Sequence, residues 1–195
     1  MHRIMHRVNT IEQLINTPVE LGVEVDIRSQ GKELIIQHEP FDQGESFLEW
    51  LNFFKHGILI LNVKEEGLET HLLKLMEKHN IKKFFFLDQS FPFLRKTALT
   101  GENRCAVRMS EYESIETVLS LTGIVEWVWV DCFSQFPLTY QQTNTLQKKG
   151  FKLCFVSPEL QGQLNLADIK KFRQNIESLG INGDAVCTKH PELWI

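Results

Sequence analysis

The chain has 195 residues, 43% of them hydrophobic, with 21 lysines and arginines against 25 aspartates and glutamates for a net charge of −4. That length favours one domain spanning residues 1–195 with a sizeable core. The near-balanced charge excludes a global pull toward nucleic acid or an anionic membrane surface. No stretch approaches the roughly 20 apolar residues of a membrane-spanning helix.

The opening Met1-His2-Arg3-Ile4-Met5-His6 has no apolar run behind its positive residues, so no secretory signal is expected. Cys105, Cys132, Cys154 and Cys187 are scattered, with no C-x-x-C pair. They read as reduced, buried thiols, and the expected location is cytoplasmic.

Taken in chain order, short β-like runs alternate with helical ones. The β-like runs are residues 3–6, 23–28, 58–63, 83–88, 105–109, 125–131, 151–156 and 185–188. Phe84-Phe85-Phe86-Leu87 and Val128-Trp129-Val130 are apolar on both faces, as in parallel strands covered by helices. Helical patterns fall at residues 10–21, 47–54, 68–79, 112–121, 139–149 and 167–179. Capping boxes are expected at Ser46-Phe-Leu-Glu49 and Ser110-Glu-Tyr-Glu113, and Gly150 and Gly180 are good residues to end helices. Residues 33–38, after the Gln30-Gly31 turn signal, read as a hairpin arm added to the second strand–helix loop. About eight strand–helix units in series predict an α/β fold, a compact (β/α)8 TIM barrel. An open doubly wound sheet is the rival, but no G-x-G-x-x-G follows any strand.

Polar residues gather at the ends of the first three apolar runs. Side chains alternate across a strand, so Glu24 and Asp26 share one face while Val23, Val25 and Ile27 take the other. Two ionised carboxylates inside a barrel are costly. A hard divalent cation with oxygen ligands would relieve that cost, and so would pairing with Arg7, Arg28 or Lys64. Asn62 and Lys64 have the same parity on the third strand. Asn62 offers a carbonyl oxygen, and Lys64 offers a charge for a phosphoryl oxygen or for Glu24. His6 and Arg7 end the first strand, at the same mouth. Trp127, Trp129 and Asp131 are spaced by two on the sixth strand, as pocket wall or barrel core. Arg108 is a further interior candidate, and Lys189 with His190 follows the eighth strand.

His6-Arg7, Asn9-Thr10, Glu24-x-Asp26, His38 and Val63-Lys64, in that order, resemble the H-R, E-N-T, E-x-D, H-D and E-x-K elements of the glycerophosphodiester phosphodiesterases. These are (β/α)8 barrels of a superfamily that includes sphingomyelinase-D-like phospholipases and phosphatidylinositol-specific phospholipases C. His6-Arg-Val-Asn also looks like the H-x-V-N opening of the sphingomyelinase-D-like branch. The likeness covers roughly the first third of the chain. The chain departs from the pattern at Val8, where the family has Gly, and at Glu39, where it has Asp. Asn62 stands where a third metal carboxylate is usual, and Lys189 where an aspartate is common.

The resemblance implies a phosphodiester hydrolase acting on a small glycerophosphodiester-like molecule. One divalent cation, Mg²⁺ or Ca²⁺, would be held by Glu24, Asp26 and Asn62. Arg7 and Lys64 would grip phosphate oxygens, and His6 and His38 would act as acid and base. Arg108, Trp129, Asp131 and Lys189 would line the substrate pocket. The alternatives are a catalytically silent phosphate-ester-binding regulator of the same fold, and an unrelated barrel isomerase or aldolase using Lys64 or Lys189.

Overall fold

The computed structural model describes residues 1–162 and 166–195. Ten strands form one sheet: β1 (His2–Met5), β2 (Gly22–Gln30), β3 (Glu33–Ile36), β4 (Glu45–Ser46), β5 (Leu59–Val63), β6 (Phe84–Leu87), β7 (Ala106–Met109), β8 (Trp127–Val130), β9 (Lys152–Val156) and β10 (Ala185–Thr188). Eight of them run parallel in the order β7-β8-β9-β10-β1-β2-β5-β6. The sheet curls in the manner of a TIM barrel. Between β6 and β7 pairing shrinks to one parallel bridge, Phe86 to Cys105.

The arm expected at residues 33–38 is present as β3. It pairs antiparallel with β2 through a turn in which Gly31 has φ 64°, and β4 pairs with β3. Antiparallel pairing of this arm accounts for the two strands beyond eight.

Seven helices follow the strands among the described residues: α1 (Ile11–Asn16), α2 (Phe47–Leu51), α3 (Glu69–Lys78), α4 (Phe91–Leu99), α5 (Ile115–Leu119), α6 (Tyr140–Lys148) and α7 (Leu166–Ser178). After β10 comes only the 3-10 turn Pro191–Trp194. Helix α1 is much shorter than the expected 10–21. Thr17 is extended (φ −80°, ψ 130°), as a residue before proline should be, and Pro18 cannot continue the helix. Helix α5 starts later than the pattern at Ser110 predicts. The Ser110 hydroxyl bonds the Glu113 carboxylate and accepts the Tyr112 N–H, closing a local turn instead of a cap. Ser114 caps α5 in its place. Phe91-Pro92-Phe93-Leu94 is the opening of α4, with proline in the first turn where its missing N–H is harmless.

Strand alternation divides the core in two. Val23, Val25, Ile27, Leu59, Leu61, Phe84, Phe86, Val128 and Val130 face outward beneath the helices, with Phe47, Trp50 and Leu72 packed over them. Ile4, Ile60, Phe85, Trp127, Trp129, Cys154 and Cys187 fill the inside of the curl, where Phe85 stacks on Trp127 at 4.5 Å. Burying each such side chain stabilises the fold by roughly 1.5–3 kcal/mol. All four cysteines are unpaired and buried. Toward the carboxyl ends of the strands the inward positions turn polar, with buried Glu24, Asp26, Asn62, Asp131 and Thr188. The apolar layer thus floors a polar one.

Candidate active site

Parallel register sets the centre of the polar layer. Asp26 pairs with Asn62 across β2 and β5, and Glu24 with Ile60. Glu24 and Asp26 are both fully buried. Asn62 Nδ2 donates to Glu24 Oε1 at 2.8 Å, and the Arg7 backbone N–H donates to Glu24 Oε2 at 2.7 Å. His6 Nε2 stands 3.8 Å from the same Oε2. Burial pushes the Glu24 carboxyl up to about 7, helped by the neighbouring Asp26 charge.

Asp26 is held on every side. Asn9 Nδ2 donates to its Oδ2 at 2.7 Å, and Asn9 Oδ1 accepts the Asp26 backbone N–H at 3.0 Å. Lys64 Nζ lies 3.1 Å from Oδ1, and Arg7 Nε 3.7 Å from Oδ2. Asn9 sits just before the cap of α1, and Thr10 and Gln13 form a capping box that fixes this turn.

Arg7 adopts a left-handed backbone, φ 55°. This turns its N–H toward Glu24 while its guanidinium reaches over the mouth, where Nη2 meets His38 Nε2 at 2.5 Å. A guanidinium only donates, so Nε2 is the acceptor and the ring proton sits on Nδ1, which faces Glu39 Oε1 at 2.5 Å. Arg28 positions this loop by donating through Nη2 to the His38 carbonyl at 2.8 Å. His6 is the more enclosed ring. Burial drives its pKa down to about 3, with the Arg7 charge adding to the effect, and its Nδ1 is buried without a partner. A cavity of about 580 Å³ opens beside it, lined in part by Met5, His6, Arg7 and Gln13.

The other sequence candidates fall around this centre. Lys64 Nζ is 3.2 Å from Asp88 Oδ2, and Arg108 Nη2 is 2.5 Å from Asp88 Oδ1. Arg108 Nη1 continues to Asp131 Oδ2 at 3.5 Å, and Gln161 Nε2 donates to Asp131 Oδ1 at 2.6 Å. Burial raises the Asp131 carboxyl, partly offset by Arg108. Asp88 is also half-buried, but Lys64 and Arg108 outweigh burial and hold its carboxyl below the usual range. Trp129, expected to touch substrate, is 6% exposed and belongs to the apolar floor, one inward position below Asp131. Lys189 has an exposed side chain, and its backbone N–H donates to Glu159 Oε1 at 3.0 Å.

Asn9 in its paired role, Glu39, Asp88 and Gln161 were missed as site residues from sequence. For Asp88 the signal was present: it is a polar residue ending a strand, as Lys64 and Asp131 do.

Fitness for a divalent cation rests on the oxygen donors. No cluster of three His, Cys, Asp or Glu side chains suited to a metal occurs among the described residues. Asn62 extends the set, because its Oδ1 is buried with no hydrogen-bond partner beside the two carboxylates. Two buried carboxylates and one orphaned amide oxygen are the donor chemistry of a hard ion.

The fold is of the curled α/β, TIM-barrel-like class. No family model matches the sequence, and no curated protein matches it. Solved structures do. A glycerophosphoryl diester phosphodiesterase from Parabacteroides distasonis is 10% identical, with a TM-score of 0.66 over 98% of this chain and 84% of that one. A glycerophosphodiester phosphodiesterase from Agrobacterium tumefaciens is 11% identical, with a TM-score of 0.67 over 100% and 98%. N-(5'-phosphoribosyl)anthranilate isomerase from Pyrococcus furiosus matches with a TM-score of 0.52 at 11% identity over 96% and 87%. At these identities the likeness establishes the fold, which the phosphodiesterases share with an isomerase. No helix among the described residues is long and apolar enough to cross a membrane.

Proposed function

We propose that the chain is a cytoplasmic phosphodiesterase that cleaves a small glycerophosphodiester-like ester at the polar mouth of its sheet. The same proposal takes residues 1–195 as one (β/α)8 domain, with the Phe86–Cys105 bridge as its closing seam. The observation that carries it is the convergence of Arg7, His6 and Lys64 on the buried Glu24–Asp26 pair, with His38 joined to it through Arg7. Such a set suits an anionic ester and the charge that develops on it. The two phosphodiesterase structures of the same fold raise its weight.

Arg7 and Lys64 bind the non-bridging oxygens. His6, 3.8 Å from Glu24 Oε2 and with a buried, unpartnered Nδ1, is the ring we assign to take a proton from the attacking hydroxyl. His38, with Nδ1–H on Glu39, is the ring fitted to carry positive charge and to protonate the leaving alkoxide once phosphate draws Arg7 away. Glu24, Asp26 and Asn62 would hold one Mg²⁺ or Ca²⁺. When bound, that ion supplies Lewis-acid stabilisation of the phosphoryl oxygens. Asp131 borders the alcohol side, Arg108 stands between it and the phosphate-binding Lys64, and Lys189 is at the rim.

A second reading, a phosphate-ester-binding protein without turnover, is favoured by one observation. Each oxygen of Glu24 and Asp26 already has an N–H donor or a cation beside it.

The test is release of alcohol from a panel of glycerophosphodiesters by the wild type, His6→Ala, His38→Ala and Glu24→Ala, with Mg²⁺, Ca²⁺, Mn²⁺ or chelator. Metal-dependent turnover that falls at least about 100-fold in each variant is expected. Binding without turnover in any metal supports the second reading. A borohydride-trappable lysine adduct with neither would overturn both.

A further inference from the structure

The Lys64–Asp88–Arg108 bridge lies outside the acid–base machinery, and its geometry resembles a filled anion site. Lys64 extends from the end of β5 and Arg108 from β7, so their charges come from strands separated by β6. Asp88 follows β6 and offers one oxygen to each: Oδ2 to Lys64 Nζ at 3.2 Å and Oδ1 to Arg108 Nη2 at 2.5 Å. Two anionic oxygens on one central atom, each gripping a different cation, is the bonding pattern of a phosphate between a lysine and an arginine.

The carboxylate also stands at the right place to be replaced. Its side chain is 25% exposed and Arg108's is 39% exposed, so solvent reaches the bridge. Cavities of about 280 Å³ and 440 Å³ open on its two flanks, the first beside Lys64 and the second beside Arg108. Asp88 borders both. Its backbone is left-handed, φ 61°, a conformation that glycine adopts without strain.

Each cation has a second carboxylate behind it, Asp26 at 3.1 Å from Lys64 and Asp131 at 3.5 Å from Arg108. Neither would be stranded if Asp88 swung out.

We propose that Asp88 is an internal counter-ion occupying an anion subsite formed by Lys64 and Arg108, which a phosphate group of the ligand displaces on binding. This rests on the phosphate-ester reading above and extends it: Arg108 becomes a direct phosphate ligand, and Asp88 competes with the ligand for both cations. The competition makes the empty mouth reject weak anions and admit a phosphate that can satisfy two cations together.

The experiment is calorimetric titration of the full chain with inorganic phosphate in chelator-containing buffer. Asp88→Asn keeps the size of the side chain, and Asp88→Gly relieves the backbone, so the second guards against misfolding of the first. Both are expected to bind phosphate about tenfold more tightly than wild type, the scale of coupling between groups in direct contact. The gain should vanish when either variant is combined with Lys64→Met or Arg108→Met. Wild-type binding with no gain in Asp88→Asn and Asp88→Gly overturns the counter-ion role and leaves the phosphate site standing. A gain that survives loss of Lys64 and Arg108 overturns it as well. Absence of phosphate binding in the wild type and every variant overturns the site and the counter-ion together.

Discussion

Glu24→Gln gives the sharpest check on the buried pair. Burial, with Asp26 beside it, lifts the Glu24 carboxyl from 4.5 to about 7. Each unit is worth ~1.4 kcal/mol, so ionising Glu24 in the folded protein costs about 3 kcal/mol more than in the unfolded chain. The folded value is the raised one, so the stabilisation is fully present below about pH 4.5 and is lost as pH climbs through 7. Between about pH 5 and about pH 8.5 the wild type should therefore lose roughly 2–3 kcal/mol from this group alone. Glutamine mimics the protonated acid and does not titrate. Its difference from wild type should shift in its favour by about that amount across the interval. Urea denaturation of both proteins at the two pH values, in chelator, measures it. A Glu24→Gln difference that is the same at both, within about 0.5 kcal/mol, would refute the claim that this carboxyl is strained by burial.

Asn9→Ala removes a donor to the buried Asp26 carboxylate and leaves the Asp26 backbone N–H without its acceptor, which should cost about 3 kcal/mol in chemical denaturation. Gly22→Ala would put a Cβ 2.6 Å from Ile58 Cγ2, 2.8 Å from the Ile58 carbonyl oxygen and 2.9 Å from Ile4 Cγ1. Because one of those atoms is backbone, a loss of about 2–3 kcal/mol is expected, read as a lowered melting temperature. Cys105 and Cys132 are both pushed up to about 12, mainly by burial, so neither should react with iodoacetamide at neutral pH until denaturant is added. Rapid labelling of native protein at either position would show that the packing around it is looser than described.

The alternation of apolar runs and helical patterns made the parallel sheet legible, because strands such as Phe84-Phe85-Phe86-Leu87 can only be buried on both faces. Period-two parity also placed Glu24 and Asp26 on the inner face correctly, opposite Val23, Val25 and Ile27. What periodicity does not encode is where a serine spends its hydroxyl. Ser110 and Ser114 both precede helix-like sequence, and the Ser110 bond to Glu113 decided between them. Nor does it encode depth. Trp129 and Asp131 have the same parity, yet one lies in the apolar floor and the other in the polar layer. For Asp88 the strand-end position is legible in sequence but the pairing is not. Its importance comes from Lys64 and Arg108, which are far from it in sequence, 24 and 20 residues away.

Charges at this mouth are arranged in alternation rather than in patches. From Asp26 the contacts run to Lys64, to Asp88, to Arg108 and to Asp131, crossing from β2 to the end of β8 with no two like charges in sequence. Such a chain lets a nearly neutral protein hold cations at a site without the self-repulsion of a basic cluster. It also makes each cation conditional, since it can turn to a ligand only while another carboxylate still balances it. Glu24 is outside the chain, and burial with the Asp26 charge beside it lifts its carboxyl to about 7 despite the hydrogen bonds from Asn62 and the Arg7 N–H. Within this layer Glu24 is thus a carboxyl on which burial favours the proton.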